Sequence, residues 1–109
     1  MKNENLLFTW VALQHVLRPL VAELVCVTDE PGDWRVETPE GRPFLTLRIQ
    51  KRHVGLYLLP MYYHPRVRPA ALEPFLSGKS TFRFKAHHEP SDEALRSVVE
   101  GCKAFIGLY

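Results

Sequence analysis

The sequence predicts an α+β domain: an antiparallel sheet of about five strands with N- and C-terminal helices packed on one face, in the order α-β-β-β-β-α-β-α. Three observations predict it. Apolar residues recur at helical steps near both ends of the chain, and the middle alternates with period two between proline- and glycine-bearing turns. The length, 109 residues, accommodates one hydrophobic core and no second. The whole chain, 1–109, reads as a single domain.

The first element rests on Leu6, Trp10, Leu13, Leu17, Leu20 and Leu24, with Leu7, Val11 and Val21 widening the stripe. Steps of three and four place them on one helical face. Pro19 removes an amide donor inside the pattern, so the helix is expected over 5–17, followed by a kink or short turn to about 24. Val25, Val27 and Thr28 then read as a short strand, and Asp29-Glu30-Pro31-Gly32-Asp33 as a turn. A second strand alternates over 34–38 and stops at Pro39-Glu40-Gly41.

Residues 44–50 and 53–59 are the clearest strands. Leu45, Leu47 and Ile49 share one side of the first; Val54, Leu56 and Leu58 share one side of the second. The second carries few charges and is expected at the centre of the sheet. Residues 60–65, Pro-Met-Tyr-Tyr-His-Pro, form a crowded aromatic turn. Pro69 opens a short helix, Ser77-Gly78-Lys79 turns the chain, and 81–85 alternates as the fifth strand. Ser91 is an N-cap followed by Asp92 and Glu93, where the helix dipole favours acids. The stripe Leu95, Val98, Val99, Cys102, Phe105, Ile106, Tyr109 carries that helix to the last residue.

Composition excludes several classes of function. Hydrophobic residues are 46% and charged residues 24% of the chain, an ordinary globular balance. A formal charge of +2 is too small a cationic excess for a phosphate-tracking surface, so no nucleic-acid partner is expected. No segment reaches the ~20 apolar residues of a membrane helix, and the N-terminal run lacks the charge pattern and cleavage site of a signal peptide. A cytoplasmic protein, monomeric or weakly dimeric, is expected. Cys26 and Cys102 have no paired spacing, and both are expected to be structural.

Three segments, TDEPGDWRVET (28–38), KRHVGLYLLPMYYHP (51–65) and GKSTFRFK (78–85), together resemble the YdhG-like bacterial family of domains of unknown function. Its members show a TD-P turn, a K-x-Y/H-V-S-hydrophobic-L-M-P-V-Y segment and a GKSCFNFK-like strand. The resemblance spans nearly the whole chain. It implies an antiparallel sheet with helices on one side, and, because some relatives are labelled frataxin-like iron chaperones, an iron-handling role as one alternative. Gly55 stands where the family has serine and Thr81 where it has cysteine. The second change removes a soft metal ligand.

No catalytic set assembles from the residue types and spacings, so a non-enzymatic module without a cofactor is expected. SGKST (77–81) lacks a glycine five residues before Gly78, where Glu73 stands, and a strand follows it, so it is not expected to be a phosphate loop. His87-His88-Glu89 has metal-ligand chemistry, but adjacent residues on an extended chain point to opposite sides. The first candidate site is a small anionic or aromatic ligand held at the end of the sheet by Tyr57, Met61, Tyr62, Lys79, Ser80 and Phe82. Aromatic walls with a few polar tips line ligand pockets and small cores alike. The alternative is iron on Asp29, Glu30 and Asp33, hard oxygen donors in the first turn.

Overall fold

The structure, a computed structural model, describes residues 2–109, with side chains from Asn5 onward. Helix α1 runs Lys2–Leu17 and passes at Pro19 into a 3-10 turn, Arg18–Val21, because proline cannot donate to the helical ladder. Four consecutive antiparallel strands follow: β1 Val25–Glu30, β2 Asp33–Glu37, β3 Pro43–Ile49 and β4 Val54–Leu58. The aromatic turn is a single helical turn, α2 Leu59–Tyr63, succeeded by 3-10 turns Pro65–Val67 and Ala70–Phe75. Strands β5 Leu76–Ser77 and β6 Thr81–Phe84 and helix α3 Asp92–Lys103 complete the chain.

The sheet order is β1-β2-β3-β4-β6-β5, antiparallel throughout. It has six strands where the sequence predicted about five. The addition is β5, a two-residue pair with β6 that a period-two pattern is too short to reveal. As expected, β4 is central, between β3 and β6. In β1 the register slips between Cys26 and Thr28, so Val27 is a surplus residue on the outermost strand.

Cross-strand register assembles the core. Trp34, Leu47, Leu56 and Phe82 are mutual neighbours across four strands; Val36, Leu45 and Leu58 form a second row, and Ile49, Val54 and Phe84 a third. All but Ile49 are buried. Helices α1 and α3 cover this face with Leu6, Trp10, Leu13 and Leu17, and with Leu95, Val98, Val99 and Cys102. Two polar anchors set the helices down. Trp10 donates its indole N–H to the Leu47 carbonyl at 2.8 Å, and the Lys103 ammonium donates to the Leu20 carbonyl at 2.9 Å while pairing with Glu23 at 2.7 Å.

Helix α3 begins as predicted, with the Ser91 hydroxyl accepting from the Ala94 N–H at 3.0 Å. It ends earlier than predicted, at Lys103. The chain turns through Gly107, whose φ of +89° suits a residue without Cβ. Tyr109 therefore leaves the stripe and donates its hydroxyl to the Pro43 carbonyl at 2.8 Å. Among the described residues no helix is long and apolar enough to cross a membrane.

Replacing Trp10 by Phe removes a buried hydrogen bond and part of a core ring. The urea midpoint is expected to fall by the equivalent of about 2 kcal/mol at unchanged slope. An unchanged midpoint would show that the indole anchor contributes nothing.

Candidate functional site

The core requirement of α1 is met by one stripe, yet residues 6–17 contain no Asp, Glu, Lys or Arg. The helix is apolar on its outer side too: Leu7, Phe8 and Val11, expected to lie inward or left unassigned by the stripe, are exposed. Phe8 is 75% exposed. A helix apolar all round normally has a second neighbour.

Along that outer side runs a half-open groove of about 630 Å³. Phe8, Ala12 and Val16, four residues apart, form one wall, with Thr9 and Leu13 deeper. Residues 86–91 and Leu95 of α3 form the other. This second wall is a turn locked on itself: the Lys85 N–H donates to His88 Nδ1 at 2.9 Å, and the His88 N–H donates to the Lys85 carbonyl at 3.1 Å. The reciprocal pair holds His87 at φ +65°, a left-handed conformation that costs a residue with Cβ about 1–2 kcal/mol. His88 also packs edge-on against Phe75, with centroids 5.1 Å apart. Among the described lining residues the carboxylates are Glu89 and Asp92, both exposed and beside the imidazoles of His87 and His88.

The six residues of the first candidate ligand site do not form a cleft. Met61 and Phe82 are fully buried core side chains, placed inward by helical α2 and by the register of β6 with Leu56. Tyr57 lies on the opposite, uncovered face of the sheet, where its hydroxyl accepts from Gln50 Nε2 at 2.6 Å. Its ring lies over Gly55, where a Cβ would meet Tyr57 Cε2 at 2.8 Å. The Ser80 carbonyl accepts from the Leu58 N–H, continuing the β4–β6 ladder. Tyr62 and Lys79 do meet, with Nζ 5.4 Å from the ring centroid, on the surface rather than in a cavity. Neither the α1 groove nor the shallower hollow between Leu7 and Lys51 borders any of the six.

The carboxylates proposed for iron are divided. Asp29 is paired in register with Trp34, and Glu30 with Asp33, so alternation sends Asp29 to the helix side and the other two to the open side. Asp29 is held by both oxygens on Arg18, at 3.1 and 3.2 Å, and Asp33 likewise on Arg35, at 3.0 and 3.1 Å. Among the described residues no group of three or more His, Cys, Asp or Glu side chains is placed to hold a metal.

The cysteines differ from one another. Burial pushes the Cys102 thiol up to about 12, against an opposing hydrogen bond from the Met61 backbone, which makes it an inert core group. Cys26, expected to be structural as well, is exposed on β1 because edge strands lack a covering neighbour on one side.

Compared with family models, with curated proteins and with solved structures, the chain has no match.

At pH 8 the native chain is expected to show one thiol reacting fast with DTNB, Cys26, and a second only in denaturant. The folded state keeps the Cys102 proton above pH 9, where an unfolded thiol loses it, so stability falls as pH rises from about 9 towards 12. Tyr109, also raised to about 12 by burial, acts in the same direction from pH 10. Urea midpoints at pH 8 and 10.5 check this; equal midpoints would contradict it.

Proposed function

We propose that the protein is a non-enzymatic binding module whose α1 groove takes a small amphipathic ligand, with the resemblance to the YdhG-like family kept as part of this reading. The observation that carries it is the groove itself: a volume within the usual 300–1,000 Å³ of ligand clefts, apolar along one helix and polar at the opposite turn. Phe8 favours an apolar body, since covering an exposed aromatic ring removes apolar area from water at about 25 cal/mol per Å². The strained His87 turn is the kind of local cost that persists where the surrounding structure holds a wall in place.

The charge at the mouth selects the head group. Glu89 favours an ammonium or a neutral hydrogen-bond donor over the anion that Lys79 suggested, while the charge of Asp92, in the first turn of α3, is offset by the helix dipole. The ligand class is therefore an alkyl or aryl amine.

The probes are n-octylamine, n-octanol and octanoate, titrated into the ¹⁵N-labelled protein. The amine is expected to bind most tightly and octanoate least, moving amide resonances of 8–16 and 86–95. Ala12→Trp, which fills the groove from an exposed position, is expected to abolish the response, and Glu89→Gln to reduce the preference for the amine about threefold. Equal responses to the three probes, or resonances moving at Tyr62 and Tyr63 instead, would overturn the proposal.

A further inference from the structure

A second surface shares no residue with the groove. Its centre is a ladder of aromatic rings: Tyr62 meets Tyr63 edge to face with centroids 5.1 Å apart, and Tyr63 meets Tyr109 at 6.2 Å. A cation stands at each end. Lys79 Nζ lies 5.4 Å from the Tyr62 centroid, and Arg42 Cζ lies 5.4 Å from the Tyr109 centroid. Tyr62 is 50%, Tyr63 51% and Leu108 67% exposed. An aromatic and apolar centre with a charged rim is the composition of protein contact surfaces, in which Tyr and Arg carry much of the binding energy.

The ladder is also held in place before any partner arrives. The Tyr109 hydroxyl donates to the Pro43 carbonyl, tying the C-terminal residue to β3. His64 stacks on Phe105 at 3.8 Å and reaches the Leu108 carbonyl with Nε2 at 3.3 Å. Arg68 donates to the Lys79 carbonyl at 3.0 Å. Of the ladder's own side chains these contacts fix Tyr109, and a group already ordered loses less entropy on binding.

We infer that this ladder is a docking surface for an extended acidic segment of a partner protein. The charge argument is direct: both ends of the ladder present a cation, Lys79 and Arg42. The four steps of 5.1–6.2 Å from Lys79 to Arg42 bound the ladder's span at about 22 Å, within the reach of an extended segment of about seven residues at ~3.3 Å each. Acidic residues near its ends meet the cations, and apolar side chains between them cover the tyrosines and Leu108. A single-stranded nucleic acid fits less well. Bases stack on open, parallel ring faces, whereas here each end ring has a face under a cation and the ring planes differ by 72° and 33°.

The test titrates the full chain with three probes: the acetylated, amidated peptide Glu-Leu-Glu-Glu-Leu-Glu, its Lys-for-Glu counterpart, and a dodecauridylate. The acidic peptide is expected to move resonances of Arg42, Tyr62, Tyr63, Lys79 and Tyr109, and to bind at least tenfold more weakly when salt is raised from about 20 to 200 mM. The double variant Lys79→Glu/Arg42→Glu is expected to lose the acidic peptide and gain the lysine peptide. Tyr62→Ser/Tyr63→Ser is expected to weaken the acidic peptide with both cations in place; melting curves establish that each variant is folded. Tighter binding of the oligonucleotide, no response at the ladder, unchanged peptide binding in both variants, or self-association of the free chain through these residues would each overturn the inference. The groove responds to different probes at different residues, so failure of one site is distinguishable from failure of the other.

Discussion

The row Trp34, Leu47, Leu56 and Phe82 crosses four strands on one face of the sheet, and the fold depends on its being covered. A sheet with one apolar face must bury it against another layer. The indole of Trp10, donating to the backbone of the same Leu47, fixes where α1 crosses. Lys103 fixes α3 against the turn that follows α1. Once both helices are down, the outer side of α1 has no layer left to meet. Its apolar residues and the 86–91 turn beside them then become the walls of a groove.

Much of this was legible in the sequence. Period two sorted Leu45, Leu47 and Ile49 from Thr46, Arg48 and Gln50, and the structure keeps that division. Ser91 and the acids after it marked the start of α3, because capping chemistry is local. The end of α3 was not legible: the stripe continues through Phe105, Ile106 and Tyr109, but Gly107 turns the chain to meet Pro43, a partner 66 residues away. Strand β5 was hidden because two residues have no period.

The candidate sites were harder to read for a related reason. Tyr62 and Lys79 lie close together, since β4 and β6 are neighbours and the turns beside them meet. Met61 and Phe82 carry the same residue chemistry, yet their side chains point the other way, and only the helical geometry of α2 and the register of β6 decide that. The groove left a trace that stripe-finding overlooks. Residues 6–17 hold more apolar side chains than one face can bury, and the excess on Phe8, which lines the groove, is itself the signal.

The surplus residue in β1 has a consequence for how copies of the chain coexist. β1 is the longer free margin of the sheet, and it exposes Val25 and Val27, an invitation to stack edge on edge into fibrils. The bulge at Val27 breaks the regular spacing of outward amides and carbonyls and tightens the local twist. A flat, continuous template is thereby missing from this margin, and one surplus valine is what removes it.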